Sequence, residues 1–154
     1  MAGLAENPSF APELRHVAVT VLSGRGLAAK DRASRFSKAS SSDPYYAVKF
    51  KGASYTSEVV SRSLEPEWKP ASFELGWIIE SDPKSLKVEV FDHDHSSADD
   101  FMGVLKIPAH ALFGLGFGHH MFWFPLSDYE KKKRRSQFVS GELLLGIRVE
   151  AARQ

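Results

Sequence analysis

The chain has 154 residues, 43% hydrophobic and 25% charged, with a formal net charge of +1, which suits one folded domain with a substantial core and argues against disorder. No apolar run approaches the roughly 20 residues that a membrane-spanning helix needs, and the start, Met-Ala-Gly-Leu-Ala-Glu-Asn-Pro, lacks the basic-then-apolar pattern of a secretory signal. The absence of cysteine excludes disulfides, thiolate metal sites and cysteine nucleophiles.

Hydrophobicity alternates with a period of two almost throughout, the signature of half-buried strands. Val17, Val19 and Val21 predict a first strand ending near Ser23-Gly24-Arg25-Gly26. Residues 33–42, rich in Ser, Arg and Lys, read as a loop. A second strand is expected over 45–50 and a third over 55–60, joined through Lys51-Gly52-Ala53. The fourth, 72–79, follows the turn Leu64-Glu65-Pro66-Glu67. The fifth, 86–91, is entered through Ser81-Asp82-Pro83-Lys84. The sixth, seventh and eighth are expected over 102–107, 121–126 and 143–149, with one helical turn over 109–115. Eight short strands between Gly, Pro, Asp and Ser turns indicate an all-β sandwich or barrel. Residues 16–150 read as a single domain, with 1–15 and 151–154 as flanking segments.

The connection after the fifth strand places Asp92, Asp94, Asp99 and Asp100 within nine positions. So many like charges in one loop are unfavourable unless something positive neutralises them. Ca²⁺ is the natural candidate, because it takes oxygen ligands and tolerates irregular geometry. A plain acidic surface turn would explain an isolated Asp-x-Asp equally well. The spacing Asp92, Asp94, Ser97, Asp100, followed at once by Phe-Met-Gly, is more demanding. It is not an EF-hand, which needs a central glycine, a distal Glu and flanking helices. His93 and His95 alternate with the aspartates and invite zinc, but zinc wants three or four convergent nitrogen or sulfur donors. No nucleophile elbow, phosphate loop or pair of carboxylates on a rigid cleft is visible, so the chain reads as a binding module rather than an enzyme.

Together these segments carry a family resemblance. Gly26-Leu27 and Lys30-Asp31 after the first strand, Ser42-Asp43-Pro44-Tyr45, Leu64-Glu65-Pro66-Glu67-Trp68, Phe91-Asp92-His93-Asp94 and Asp99-Asp100-Phe101-Met102-Gly103 follow in order. Trp123-Phe124-Pro125-Leu126 and Gly141-Glu142-Leu143-Leu144-Leu145 close the series. In order and spacing the chain resembles a C2 domain over residues 17–149. Because the Gly-Glu-Leu strand comes last, the order looks like the permuted, type II topology. The resemblance implies an eight-stranded antiparallel β-sandwich with Ca²⁺-binding loops at one end. Its ligands would be Asp31 and Asp43 from the first loop and Asp92, Asp94 and Asp100 from the third, with Ser97 where some members place a further donor. Asp99 would be a solvated neighbour.

The resemblance also implies Ca²⁺-dependent binding to anionic phospholipid, with phosphatidylserine-like head groups, and reversible peripheral association with the cytoplasmic leaflet. Asp31 and Asp43 are twelve positions apart, further than is common in the family. The insertion carries Arg32, Arg35, Phe36 and Lys38, which read either as a basic membrane-facing loop with Phe36 as a wedge or as a plain solvated loop. His95 and Ser96 occupy the tip of the third loop, where strong inserters carry apolar residues, so binding is expected to lean on charge and weaken in salt. Lys49 and Lys51, two apart on one strand, are candidates for phosphoinositide binding. The run Lys131-Lys132-Lys133-Arg134-Arg135 reads as a lipid contact, a nuclear-localisation signal or a solvated loop. It lacks the interleaved aromatics that stack bases, which argues against nucleic acid. A Ca²⁺-independent module with a protein partner is the competing reading.

Overall fold

The structure, a computed structural model, describes residues 11–30, 41–128 and 138–152. Eight strands form two four-stranded antiparallel sheets. They are β1 (Arg15–Arg25), β2 (Pro44–Phe50), β3 (Ala53–Thr56), β4 (Ser72–Ile78), β5 (Ser85–Asp92), β6 (Asp100–Pro108), β7 (Gly118–Pro125) and β8 (Glu142–Ala151). One short helix, α1 (Ala109–Phe113), follows β6. One sheet runs β4-β1-β8-β7 and the other β3-β2-β5-β6. The last strand thus lies beside the first, from Arg15 opposite Ala151 to Arg25 opposite Glu142, as the expected permuted order requires.

The period-two pattern sets which side chains face inward. Val17, Val19 and Val21 from β1 meet Leu143, Leu145, Ile147 and Val149 from β8, all at most 1% exposed. Leu86, Val88 and Val90 of β5 fill the facing sheet and are completely buried. Tyr46 and Trp68 close the layer edge to face, with ring centroids 5.1 Å apart.

The third strand differs from expectation. It covers Ala53–Thr56, not 55–60. Lys51 (φ 49°) and Gly52 (φ 82°) both lie in the left-handed region, the geometry of a two-residue hairpin turn, so Ala53 already pairs with Phe50. Beyond Thr56 the chain leaves the regular ladder, although the amides of Ser57 and Val60 still donate to the carbonyls of Tyr46 and Pro44.

Antiparallel pairing brings four connections to one end of the sandwich. These are β1 to β2, β3 to β4, β5 to β6 and β7 to β8. The β2–β3 turn, residues 79–84 and α1 lie at the other end. No helix among the described residues is long and apolar enough to cross a membrane.

Candidate metal and membrane site

The acidic end is built on the β2, β5 and β6 termini. Pro44 pairs with Asp92, and Asp92 pairs with Asp100. Asp43, Asp92 and Asp100 therefore stand side by side at the mouths of three adjacent strands. Asp92, only 1% exposed, accepts the Asp43 amide through Oδ1 at 2.7 Å. The His93 amide returns a bond to the Asp43 carbonyl at 3.0 Å. Asp43 Oδ1 in turn accepts the Arg62 amide at 2.7 Å, which ties the β3–β4 connection to the same point.

Ser42 anchors the first loop from below. Fully buried, its hydroxyl donates to the Ala28 carbonyl at 3.0 Å and accepts the Lys30 amide at 2.9 Å. Trp68 does the same for the second loop, donating from Nε1 to the Pro44 carbonyl at 3.3 Å. The Ser-Asp-Pro-Tyr and Pro-x-Trp segments are thus the joints that hold the loops to the sandwich.

Within the third loop Asp94 folds back on its own chain. Its Oδ1 accepts the Ser96 amide at 2.8 Å and the Ser96 hydroxyl at 3.1 Å, and its Oδ2 accepts the Ser97 hydroxyl at 2.7 Å. The Ser96 amide, then the two hydroxyls, hold its pKa down at about 2, because each favours the charged carboxylate.

Asp99, expected to be a solvated neighbour, has a structural part instead. It accepts the Tyr45 hydroxyl through Oδ2 and the Asp94 amide through Oδ1 at 2.9 Å, and His93 Nδ1 lies 3.4 Å away. The Tyr45 bond, then the Asp94 amide, lower its pKa. Burial and the same bond push Tyr45 up to about 12. His93 and His95 meet edge to face at 4.7 Å, with His95 and Ser96 exposed at the tip.

Among the described residues, no three His, Asp or Glu side chains are arranged to hold a metal ion. Asp43, Asp92 and Asp100 are adjacent, while Asp94 and Ser97 are turned onto each other. The donor set itself, carboxylates with one hydroxyl, suits a hard cation such as Ca²⁺. Asp31, Arg32, Arg35, Phe36 and Lys38, together with Lys131, Lys132, Lys133, Arg134 and Arg135, lie outside the described residues.

A second charged feature crosses the outer face of the β3-β2-β5-β6 sheet. Lys49 pairs with Lys87, and Lys87 with Lys106, in one row across three strands. Lys49, Lys51, Lys84 and Lys87 line one groove. Glu89, 3% exposed, pairs with Lys49 at 3.2 Å and Lys87 at 3.4 Å. Lys51 turns aside to pair with Asp82. Sequence reasoning found Lys49 and Lys51 but missed Lys84, Lys87 and Lys106. Their signal was there: Lys87 and Lys106 occupy the outward positions of alternating strands.

The family model of the C2 domain matches residues 15–137. Human extended synaptotagmin-1 is 38% identical over 111 residues, covering 71% of this chain and 10% of that protein. Human Ras GTPase-activating protein 4 is 33% identical over 132 residues, covering 84% of this chain and 15% of that protein. The chain therefore spans a small fraction of these relatives' length. Among solved structures, the C2A domain of a plant extended synaptotagmin 1 superposes with a TM-score of 0.69 at 20% identity, covering 93% of this chain and 98% of that one. The calcium-bound C2A and C2B domains of extended synaptotagmin 2 give 0.68 at 24% identity over 90% of this chain and 46% of that one. A β-sandwich of this strand order, with clustered loops at one end, defines a class of binding module. The chain belongs to the C2 domain family.

Proposed function

We propose that this C2 domain binds anionic phospholipid membranes in a Ca²⁺-dependent manner and acts as a membrane-targeting or adaptor unit at the cytoplasmic leaflet. The observation that carries this reading is the alignment of Asp43, Asp92 and Asp100 at neighbouring strand ends. Asp43, Asp92, Asp94 and Asp100, with Asp31 and Ser97, are the residues that would hold the ion. Ca²⁺ would supply positive charge and coordination sites open to lipid phosphate and carboxylate oxygens. The solved relative in its calcium-bound form supports the same reading.

The protein's own part is electrostatic. Without a cation, the five carboxylates repel an anionic surface. Two divalent ions would bring that local charge from −5 to −1. Nearby cations then add attraction of about 1 kcal/mol each at an anionic leaflet. To serve as a ligand, Asp94 would exchange some of its hydrogen bonds to Ser96 and Ser97 for the ion. This is a local charge change read out as membrane affinity.

The test is co-sedimentation with phosphatidylserine-containing vesicles, in Ca²⁺ and in chelator, at physiological salt. Binding only with Ca²⁺, lost when Asp92 and Asp94 are both replaced by Asn, supports the switch. Binding unchanged in that variant removes it, and no binding at all leaves a protein partner as the leading reading. The lysine row favours a second ligand, phosphoinositide head groups, held by Lys49, Lys87 and Lys106 with Lys51 and Lys84 beside them. Binding to phosphoinositide vesicles in chelator, abolished by Lys49→Ala with Lys87→Ala, is the expected sign.

A further inference from the structure

We propose that Phe138, in the β7–β8 connection, is an apolar anchor that enters the lipid interface when the domain docks. The inference rests on the membrane reading above and adds a contact from a connection that lies outside the aspartate-bearing loops.

Phe138 is 74% exposed, more than any other large hydrophobic side chain among the described residues. Its backbone is held at its own carbonyl and through the three residues that follow. The Phe138 carbonyl accepts Lys30 Nζ at 2.7 Å. Val139 packs against the core, and the Ser140 hydroxyl donates to the Gly26 carbonyl at 2.8 Å. The Gly141 carbonyl accepts the Leu126 amide at 2.9 Å. The ring is therefore held outward on an anchored backbone.

Its position relative to the carboxylates follows from a short chain of bonds. Lys30 holds the Phe138 carbonyl with its ammonium and the Ser42 hydroxyl with its amide. Ser42 precedes Asp43, whose amide rests on Asp92. Phe138 thus stands at the same end of the sandwich as Asp43 and Asp92, with a lysine ammonium beside its backbone.

A single aromatic ring beside a cation suits the membrane interface, where a ring enters the headgroup layer while ammonium groups stay with the phosphates. A stable protein interface needs about 800 Å² from each partner, far more than one ring supplies. Burying part of a phenyl ring in lipid should strengthen partitioning on the order of tenfold.

Because the chain has no cysteine, Phe138→Cys gives a unique site for a polarity-sensitive fluorophore. Ala111→Cys on α1, at the opposite end, is the control. With phosphatidylcholine–phosphatidylserine vesicles and Ca²⁺, the probe at 138 should shift to the blue and be quenched by spin-labelled lipid, while the probe at 111 should do neither. Phe138→Ala should keep its melting temperature and its Ca²⁺ affinity without vesicles, but partition about tenfold more weakly. If the unmodified chain binds vesicles while the probe at 138 stays in water and Phe138→Ala partitions normally, the inference falls and the membrane reading stands. If the unmodified chain binds no vesicles under any condition, both fall. Loss of a protein partner in Phe138→Ala, with vesicle binding intact, also overturns it.

Discussion

Asp94 turns back on its own loop, whereas Asp99 reaches across to Tyr45 on the neighbouring strand. The two carboxylates set the loop's resting shape by different routes, and each leaves a titration signature. With its pKa at about 2, Asp94 is charged throughout the physiological range. Folding lowers this pKa, so the stabilisation is complete above the unfolded carboxylate value of about 4. It disappears as pH falls toward 2. Carboxyl NMR titration in chelator should find the Asp94 midpoint near 2, and Ser96→Ala with Ser97→Ala should return it toward the ordinary value. Tyr45→Phe should likewise raise the midpoint of Asp99, whose largest lowering influence is the tyrosine hydroxyl. The spacing of Asp92, Asp94, Ser97 and Asp100 was readable as a donor pattern because it is local in sequence. The role of Asp99 was not, because its partner Tyr45 is 54 positions away and nothing in a local pattern names it.

Strand β5 shows what alternation alone encodes. Leu86, Val88 and Val90 face the core, and Lys87, Glu89 and Phe91 face outward. The outward lysine became a row only when register placed Lys49 and Lys106 beside it. The tight Lys51-Gly52 turn sets a different register, that of β3 on β2, and taking the turn to span Lys51-Gly52-Ala53 displaced β3. Glu89→Gln should remove the neutralising partner of Lys49 and Lys87. Binding to phosphoinositide vesicles in chelator should then tighten several-fold, as read by co-sedimentation, with a lower melting temperature from the lost ion pairs of the buried Glu89 carboxylate. The entry to β8 is a second element-level constraint. Gly141 has φ +95°, and an added Cβ would lie 2.5 Å from the Arg25 carbonyl oxygen and 2.8 Å from Gly26. Gly141→Ala should destabilise the fold by about 1–3 kcal/mol, measurable by chemical denaturation.

For the whole molecule, the proposed ion couples the loops to global stability. Ligand that binds only the folded state raises stability by about 2.7 kcal/mol at one hundred times its dissociation constant. Added Ca²⁺ should therefore raise the melting temperature of the unmodified chain and leave that of the Asp92→Asn, Asp94→Asn double variant unchanged. Membrane binding should weaken as salt is raised through the physiological range, since dissolved ions screen the attraction between the domain and a charged surface. The position of β8 has a further consequence, in time rather than in space. Arg15 must find Ala151 and Arg25 must find Glu142, so β1 has one long-range neighbour that is synthesised almost last. Until β8 arrives, β1 and β7 lack the strand between them, and their sheet cannot be completed. Folding should therefore be slow, on the order of milliseconds to seconds for topologies so rich in distant pairings. During translation β1 can pair with β4 along one edge, but its other edge must stay open until nearly the whole domain has emerged.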